Sequence, residues 1–179
     1  MNNGIIGVIA QIFGALAVIV ALFIFIFKSR KVILTAKLTD DVLWSVYYFL
    51  TGGMTAGALN CVGVVREIVF YNREKKWASS RLWLYGFLAV TAAAGVLTWE
   101  GMSSVFAMLG MILAVFSFWC SDPILICSLS IPSELSWLIY NIIHDAKFGI
   151  VSSSVAVLSA VVGLILKLTA KKREEKKDG

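Results

Sequence analysis

Asp41-Val42-Leu43-Trp44-Ser45-Val46-Tyr47 has a counterpart 93 residues further along, Glu134-Leu135-Ser136-Trp137-Leu138-Ile139-Tyr140. An acid precedes each tryptophan by three residues, and a tyrosine follows it by three. Without gaps, the same shift aligns Phe13 with Phe106, Ile19 with Ile112, Phe23 with Phe116, Phe25 with Phe118 and Ile33 with Ile126. Apolar sequences match one another cheaply, so the weight rests on the paired acid, Trp and Tyr. A repeat of this length marks a structural unit used twice.

The surroundings of the repeat give its setting. Of the 179 residues, 59% are hydrophobic and only 15% charged, and the mean hydropathy is +0.86. A soluble domain carries about a quarter charged residues, so this chain lacks the polar surface to clothe a water-soluble globule. The net charge of +5 falls between and after apolar runs, which favours a lipid partner over nucleic acid. Seven runs are long enough to cross about 30 Å of hydrocarbon: 5–27, 32–50, 53–71, 82–98, 102–119, 124–143 and 148–168. The connections are short and leave no room for a soluble catalytic domain. The amino terminus has no basic residue and no cleavage site follows the first run, so no cleaved signal peptide is expected.

Shifted by 93, the first three runs fall on the last three and the fourth is unpaired. Three spans plus one linker span place both copies in the same orientation, related by an axis along the membrane normal. The expected fold is therefore all-α and integral to the membrane. Its seven transmembrane helices form two parallel three-helix bundles, 5–71 and 102–168, joined by a loop and linker helix at 72–101 and followed by a basic tail at 169–179. Lys28-Ser29-Arg30-Lys31, the 72–81 loop and the Lys171–Lys177 tail share one side. The positive-inside rule makes that side cytoplasmic, with the amino terminus outside. Trp77, Trp83, Trp99 and Trp119 fall near span ends as interfacial anchors.

Trp44 and Trp137 lie well inside their spans. Asn60, 16 residues after Trp44 on the next helix, can share its depth. A buried amide needs a partner or a polar cavity, so Asn60 reads either as part of a platform for a small polar solute or as an interhelical hydrogen bond. Asp41 and Glu134 read as ion-coupling groups or as first-turn residues of helices that begin late, near Thr39 and Pro132. Lys37 can pair with Asp41 four residues on. Arg66 and Glu67 are expected to snorkel to the interface. Gly53, Gly57 and Cys61, like Ser152, Ala156, Ser159 and Gly163, place small residues where helices approach closely. Cys61, Cys120 and Cys127 have no metal-ligand spacing with His144 and read as small buried hydrophobes. The residues supply no catalytic constellation. Neither an enzyme nor a cofactor is expected.

The stretch from Thr55-Ala56-Gly57-Ala58-Leu59-Asn60-Cys61 through Val65-Arg66-Glu67-Ile68-Val69-Phe70-Tyr71 to Asn72-Arg73-Glu74-Lys75-Lys76-Trp77 resembles the YgjV-type bacterial inner-membrane protein family, over most of the chain. That resemblance implies a cell inner-membrane location and leaves the activity open. More distantly, Leu43-Trp44-Ser45-Val46-Tyr47 with Asn60 is similar to the Leu-Trp-x-x-Tyr and downstream Asn of SWEET and PQ-loop (MtN3-like) transporters. By that likeness Trp44 and Asn60 would line a solute site. Their repeat partners Trp137 and Ser153 complete the pocket, with Tyr47 and Tyr140 as neighbours. Ser153 stands where the family has a second Asn, and the Pro-Gln pair is absent from both halves. The expected function is transport of a small polar solute by rocking of the two bundles. The alternative is a non-transporting scaffold or partner-binding protein.

Overall fold

The computed structural model describes residues 3–178 and, among them, contains helices and no strand. In chain order the helices are α1 (Asn3–Ala21), α2 (Arg30–Thr51), α3 (Met54–Tyr71), α4 (Leu82–Leu97), α5 (Met102–Trp119), α6 (Pro123–Ile143) and α7 (Lys147–Asp178). Helices satisfy every backbone polar group within one segment, which hydrocarbon demands. Five of them, α1, α3, α5, α6 and α7, are long and apolar enough to cross a bilayer. α4 is short at 16 residues, and α2 carries buried Lys37, Asp40 and Asp41.

The burial pattern is inverted relative to a soluble protein. Ile5, Val8, Ile12, Leu16 and Ile19 form an exposed apolar stripe along α1, and every other helix also exposes large hydrophobics. Lys37, Asp40, Asp41, Asn60, Arg66, Glu67 and Glu134 are buried. An apolar exterior around a charged interior suits lipid as the surrounding solvent.

α2 packs on α1 and α3, and α6 packs on α5 and α7. α1 meets α7, α3 meets α5, and α4 lies outside against α3 and α5. Short turns enforce antiparallel neighbours. Gly52 ends α2 at φ 93°, the left-handed conformation that favours glycine, and the Gly53 N–H bonds back to the Tyr48 carbonyl at 2.9 Å, as helix C-caps do. Asp122 caps α6 by accepting from the Ile124 N–H at 2.8 Å, with Pro123 in the first turn. The ends of the bundle differ. The basic end holds the 22–29, 72–81 and 120–122 connections, and the far end holds 52–53, 98–101 and 144–146.

Several expectations are corrected. α1 stops at Ala21 and residues 22–26 form turns, so the 5–27 run is not one helix. Those turns fold Phe25 into the core, stacked on Phe118 with centroids 6.5 Å apart and planes 5° apart. The Phe25 carbonyl accepts from Lys167 Nζ at 2.6 Å. α2 begins at Arg30 and α6 at Pro123 and runs through Pro132, so Asp41 and Glu134 sit in mid-helix and not in a first turn. Beyond residue 168 the chain continues α7 as helix to Asp178. Cys61 is exposed and Cys120 half-buried, leaving Cys127 as the buried cysteine.

Candidate functional site

A polar cavity of about 30 Å³, lined by buried side chains, lies inside the bundle, with room for one or two waters. Trp44 and Asn60 from the first half and Trp137 and Ser153 from the second all line it. So do Lys37, Asp40 and Tyr48 from α2, Glu134 and Asn141 from α6, and Ser152 from α7. Trp44 and Asn60, and their repeat partners Trp137 and Ser153, thus meet at one place. Asn60 donates to its own helix, to the Ala56 carbonyl at 2.8 Å. Ser153 Oγ accepts from Asn141 Nδ2 at 3.0 Å, and Asn141 Oδ1 accepts from the Tyr48 hydroxyl at 2.5 Å.

Tyr47 and Tyr140 do not line this cavity. Each packs edge-on against its own tryptophan, with Trp44–Tyr47 centroids 5.0 Å apart and Trp137–Tyr140 centroids 5.8 Å apart. Tyr47 faces a far-end crevice with Phe148. Tyr140 lies over His144 and donates to Glu100 at 3.4 Å. The residues one place on, Tyr48 and Asn141, take the positions in the cavity wall. Their signal was in the sequence, because 48 and 141 are also related by the 93-residue shift.

Below the cavity, toward the basic end, runs a chain of alternating charges. Lys37 Nζ contacts Asp40 Oδ2 at 2.7 Å and Asp41 Oδ1 at 3.0 Å. Arg66 Nη2 contacts Asp41 Oδ2 at 3.4 Å and Glu67 Oε1 at 2.7 Å. Arg66 and Glu67 are both 0% exposed, which overturns the snorkelling expectation: two opposite charges and an overlying ring give them partners that the interface would not. The guanidinium sits 5.3 Å from the Phe118 ring centroid, and Nη1 contacts Met111 Sδ at 2.7 Å. Gly63 makes this possible, since a Cβ there would strike the Asp41 carboxylate. Asp41 is therefore held in the ion chain and does not line the cavity; Glu134 does.

Polar ties join the helices at both ends of the bundle. At the basic end Arg30 donates to the carbonyls of Cys120 (2.9 Å), Phe118 (3.0 Å) and Phe70 (3.1 Å), joining α2 to the carboxyl ends of α3 and α5. A cation at helix carboxyl termini is favoured by their dipoles. At the far end Glu100 accepts from the backbone N–H groups of Met54 and Thr55, each at 3.0 Å. A carboxylate at the amino end of α3 is the complementary arrangement. His144 bonds Ser103 Oγ at 2.8 Å. Among the described residues, no group of three His, Cys, Asp or Glu side chains could hold a metal ion.

An apolar exterior, five bilayer-length helices and a buried ionic interior define a polytopic α-helical membrane protein. Residues 8–171 match the family model described as Imp-YgjV, bacterial inner membrane protein. The chain belongs to that family, and lipid bilayer is its surroundings. No curated protein and no solved structure matches it, so the likeness to SWEET and PQ-loop transporters rests on the Trp, Tyr and Asn motif alone.

Proposed function

We propose that the chain is a seven-span carrier for a small polar solute, in which two parallel three-helix bundles rock about the cavity between Trp44 and Trp137. The observation that carries this reading is the convergence of equivalent residues from both halves on one polar cavity. The parallel arrangement has support of its own. A two-fold axis exchanges each residue with the one 93 further on, so such a pair in mutual contact lies on the axis. Tyr48 and Asn141 are one such pair, near the far end, and Phe25 with Phe118 is another, near the basic end. Helix α2 rises about 27 Å between Arg30 and Tyr48 at 1.5 Å per residue. The two contacts therefore sit at opposite ends of the bundle, and a line through them runs along the helices, which supports an axis along the membrane normal. The contacts of α1 with α7 and of α3 with α5 are interchanged by the same operation, with α4 as the peripheral linker. With the basic end in the cytoplasm, the Arg30 ties form the inner closure and the Glu100 and Tyr48–Asn141 ties the outer one.

The carrier reading takes this conformation as closed at both ends, with solute admitted when one set of ties opens. Uptake into proteoliposomes from a panel of sugars, vitamins and nucleosides tests it. At least one solute is expected to enter faster than into empty vesicles, and Trp137→Ala is expected to abolish that flux. No flux across the whole panel removes the proposal.

A second reading, a scaffold without transport, is favoured by the small cavity and by the Asn60 bond to the Ala56 carbonyl. It expects Asn60→Leu to change stability alone, and a stoichiometric partner to co-purify. In neither reading is the chain an enzyme.

A further inference from the structure

The buried charges do not balance. Asp40, Lys37, Asp41, Arg66 and Glu67 form one continuous chain of ion pairs, three acids against two bases. Glu134 stands outside it. No ion pair among the described residues reaches Glu134, although its residue is only 8% exposed and lines the cavity. Opposite it, Asp40, only 3% exposed, also lines the cavity and has an Oδ1 with no hydrogen-bond partner. A carboxylate left without a partner in a lipid-enclosed interior is strongly disfavoured against its neutral form.

The charged groups acting on Glu134 come from α2 and α3. Lys37 and Arg66 attract a negative charge, and Asp40 and Asp41 repel one. Both cations are already engaged by the acids of the chain. Glu67 is the further acid on α3, and Tyr48 is the titratable hydroxyl from α2 in the cavity wall. The helices packed on either side of α6 bring Gly110 from α5 and Ser152 and Ser153 from α7, none of them ionisable. A cavity of about 30 Å³ has room for the water that would receive a proton.

We propose that Glu134 is a proton-binding site: it carries a proton while the cavity is closed and releases it to water when the cavity opens. The step is an ordinary acid dissociation. The Glu134 O–H bond breaks, its electron pair stays on the carboxylate, and the proton passes to a water entering the cavity. Within the carrier reading, on which this role in coupling rests, solute movement would be linked to a proton. The binding itself needs no transport and is tested separately.

The experiment uses the full chain in lipid nanodiscs. Infrared difference spectra across a pH series read the carbonyl stretch of a protonated carboxylic acid, and tryptophan fluorescence reads Trp137 and Trp44 beside the cavity. Wild type is expected to show the protonated-acid band at neutral pH, lost together with a fluorescence change as pH rises. Glu134→Gln is expected to remove the Glu134 component of the band together with the fluorescence change while keeping the fold, because it replaces a neutral acid with a neutral amide of the same shape. Any component from the surplus acid of the ion chain, where Asp40 Oδ1 and Glu67 Oε2 lack partners, stays without the fluorescence change. Glu134→Asp is expected to restore the band at a shifted midpoint. Absence of a protonated-acid band in wild type overturns the proposal, and so does a band whose intensity and titration are unchanged in Glu134→Gln. Failure of every solute in the uptake panel with this band intact removes the carrier reading and leaves the proton site standing.

Discussion

Replacing Arg66 by Met tests the ion chain most directly. The guanidinium is fully buried, 2.7 Å from Glu67 Oε1 and 3.4 Å from Asp41 Oδ2. Asp41 keeps Lys37 at 3.0 Å after the change, so the loss falls mainly on Glu67, which pairs with no other cation among the described residues. Removing one partner of a buried pair costs about 3–5 kcal/mol. At about 2–4 °C per kcal/mol for a chain of this size, Arg66→Met is expected to lower Tm by roughly 6–20 °C. Thermal unfolding in detergent, followed by near-ultraviolet circular dichroism, measures it. Substituting Glu67→Gln on the Arg66→Met background removes the stranded charge and should recover much of the loss, because neutral replacement of a whole buried pair costs little. A coupling energy above about 1.5 kcal/mol is expected from the double-mutant cycle. A single variant within about 1 kcal/mol of wild type, or a double variant as unstable as the sum of the singles, refutes the argument.

At Gly163 a Cβ would run into the Phe25 carbonyl, a backbone neighbour that cannot rotate away. Gly163→Ala should therefore destabilise by about 1–3 kcal/mol, while Gly86→Ala, in mid-α4 with no atom within 4 Å, should raise stability by up to about 1 kcal/mol in the same melt. Glu100→Gln keeps the shape but removes the charge from the amino end of α3, for an expected loss of about 0.5–2 kcal/mol. At the basic end the hydrogen bond from Lys31, at 2.8 Å, followed by its charge, holds the exposed Glu74 carboxyl below the ordinary carboxylate range. Its small stabilising effect is present above that range and fades as pH falls through the lowered value. Salt screens such a pair, so Glu74→Gln should leave Tm at neutral pH unchanged within error.

The long apolar helices were readable because hydrocarbon asks for apolar runs, and Trp44, Trp137 and Glu134 of the cavity wall because an acid and a Trp recur at one spacing; the Tyr of the same motif faces elsewhere. What escaped has physical reasons. Leu22 to Phe27 are all apolar, so hydropathy runs straight through the end of α1. No Gly or Pro marks the turn that delivers Phe25 to the core. For Arg66 and Glu67, snorkelling and deep pairing call for the same residues near a span end. Gly63 was the available signal, since it opens the space for the Asp41 carboxylate to reach Arg66. Asp41 and Glu134 looked equivalent under the shift. Only the pairing of Asp41 with two cations, and the isolation of Glu134, separates their roles.

That separation extends to the two halves. Under the 93-residue shift Lys37, Asp40, Arg66 and Glu67 correspond to Ser130, Ser133, Ser159 and Ala160. The first half ties α2 to α3 through charge-assisted contacts. In the second, the equivalent α6–α7 contact has an amide–hydroxyl bond, Asn141 to Ser153 at 3.0 Å, and Lys167 on Cys127 Sγ at 3.4 Å. There α6 meets α5 through hydroxyls, Ser117 with Ser130 at 2.9 Å and Ser133 to the Gly110 carbonyl at 2.7 Å. Charge-assisted bonds are about twice as strong as neutral ones, and Ser159 Oγ has no partner at all among the described residues. If the halves move against each other, the second should deform first. Amide hydrogen exchange in nanodiscs should then be faster along α6 than along α2. Equal protection of these two helices would mean that the ion chain adds no local rigidity. Its purpose would then lie in setting the charge that Glu134 meets across the cavity.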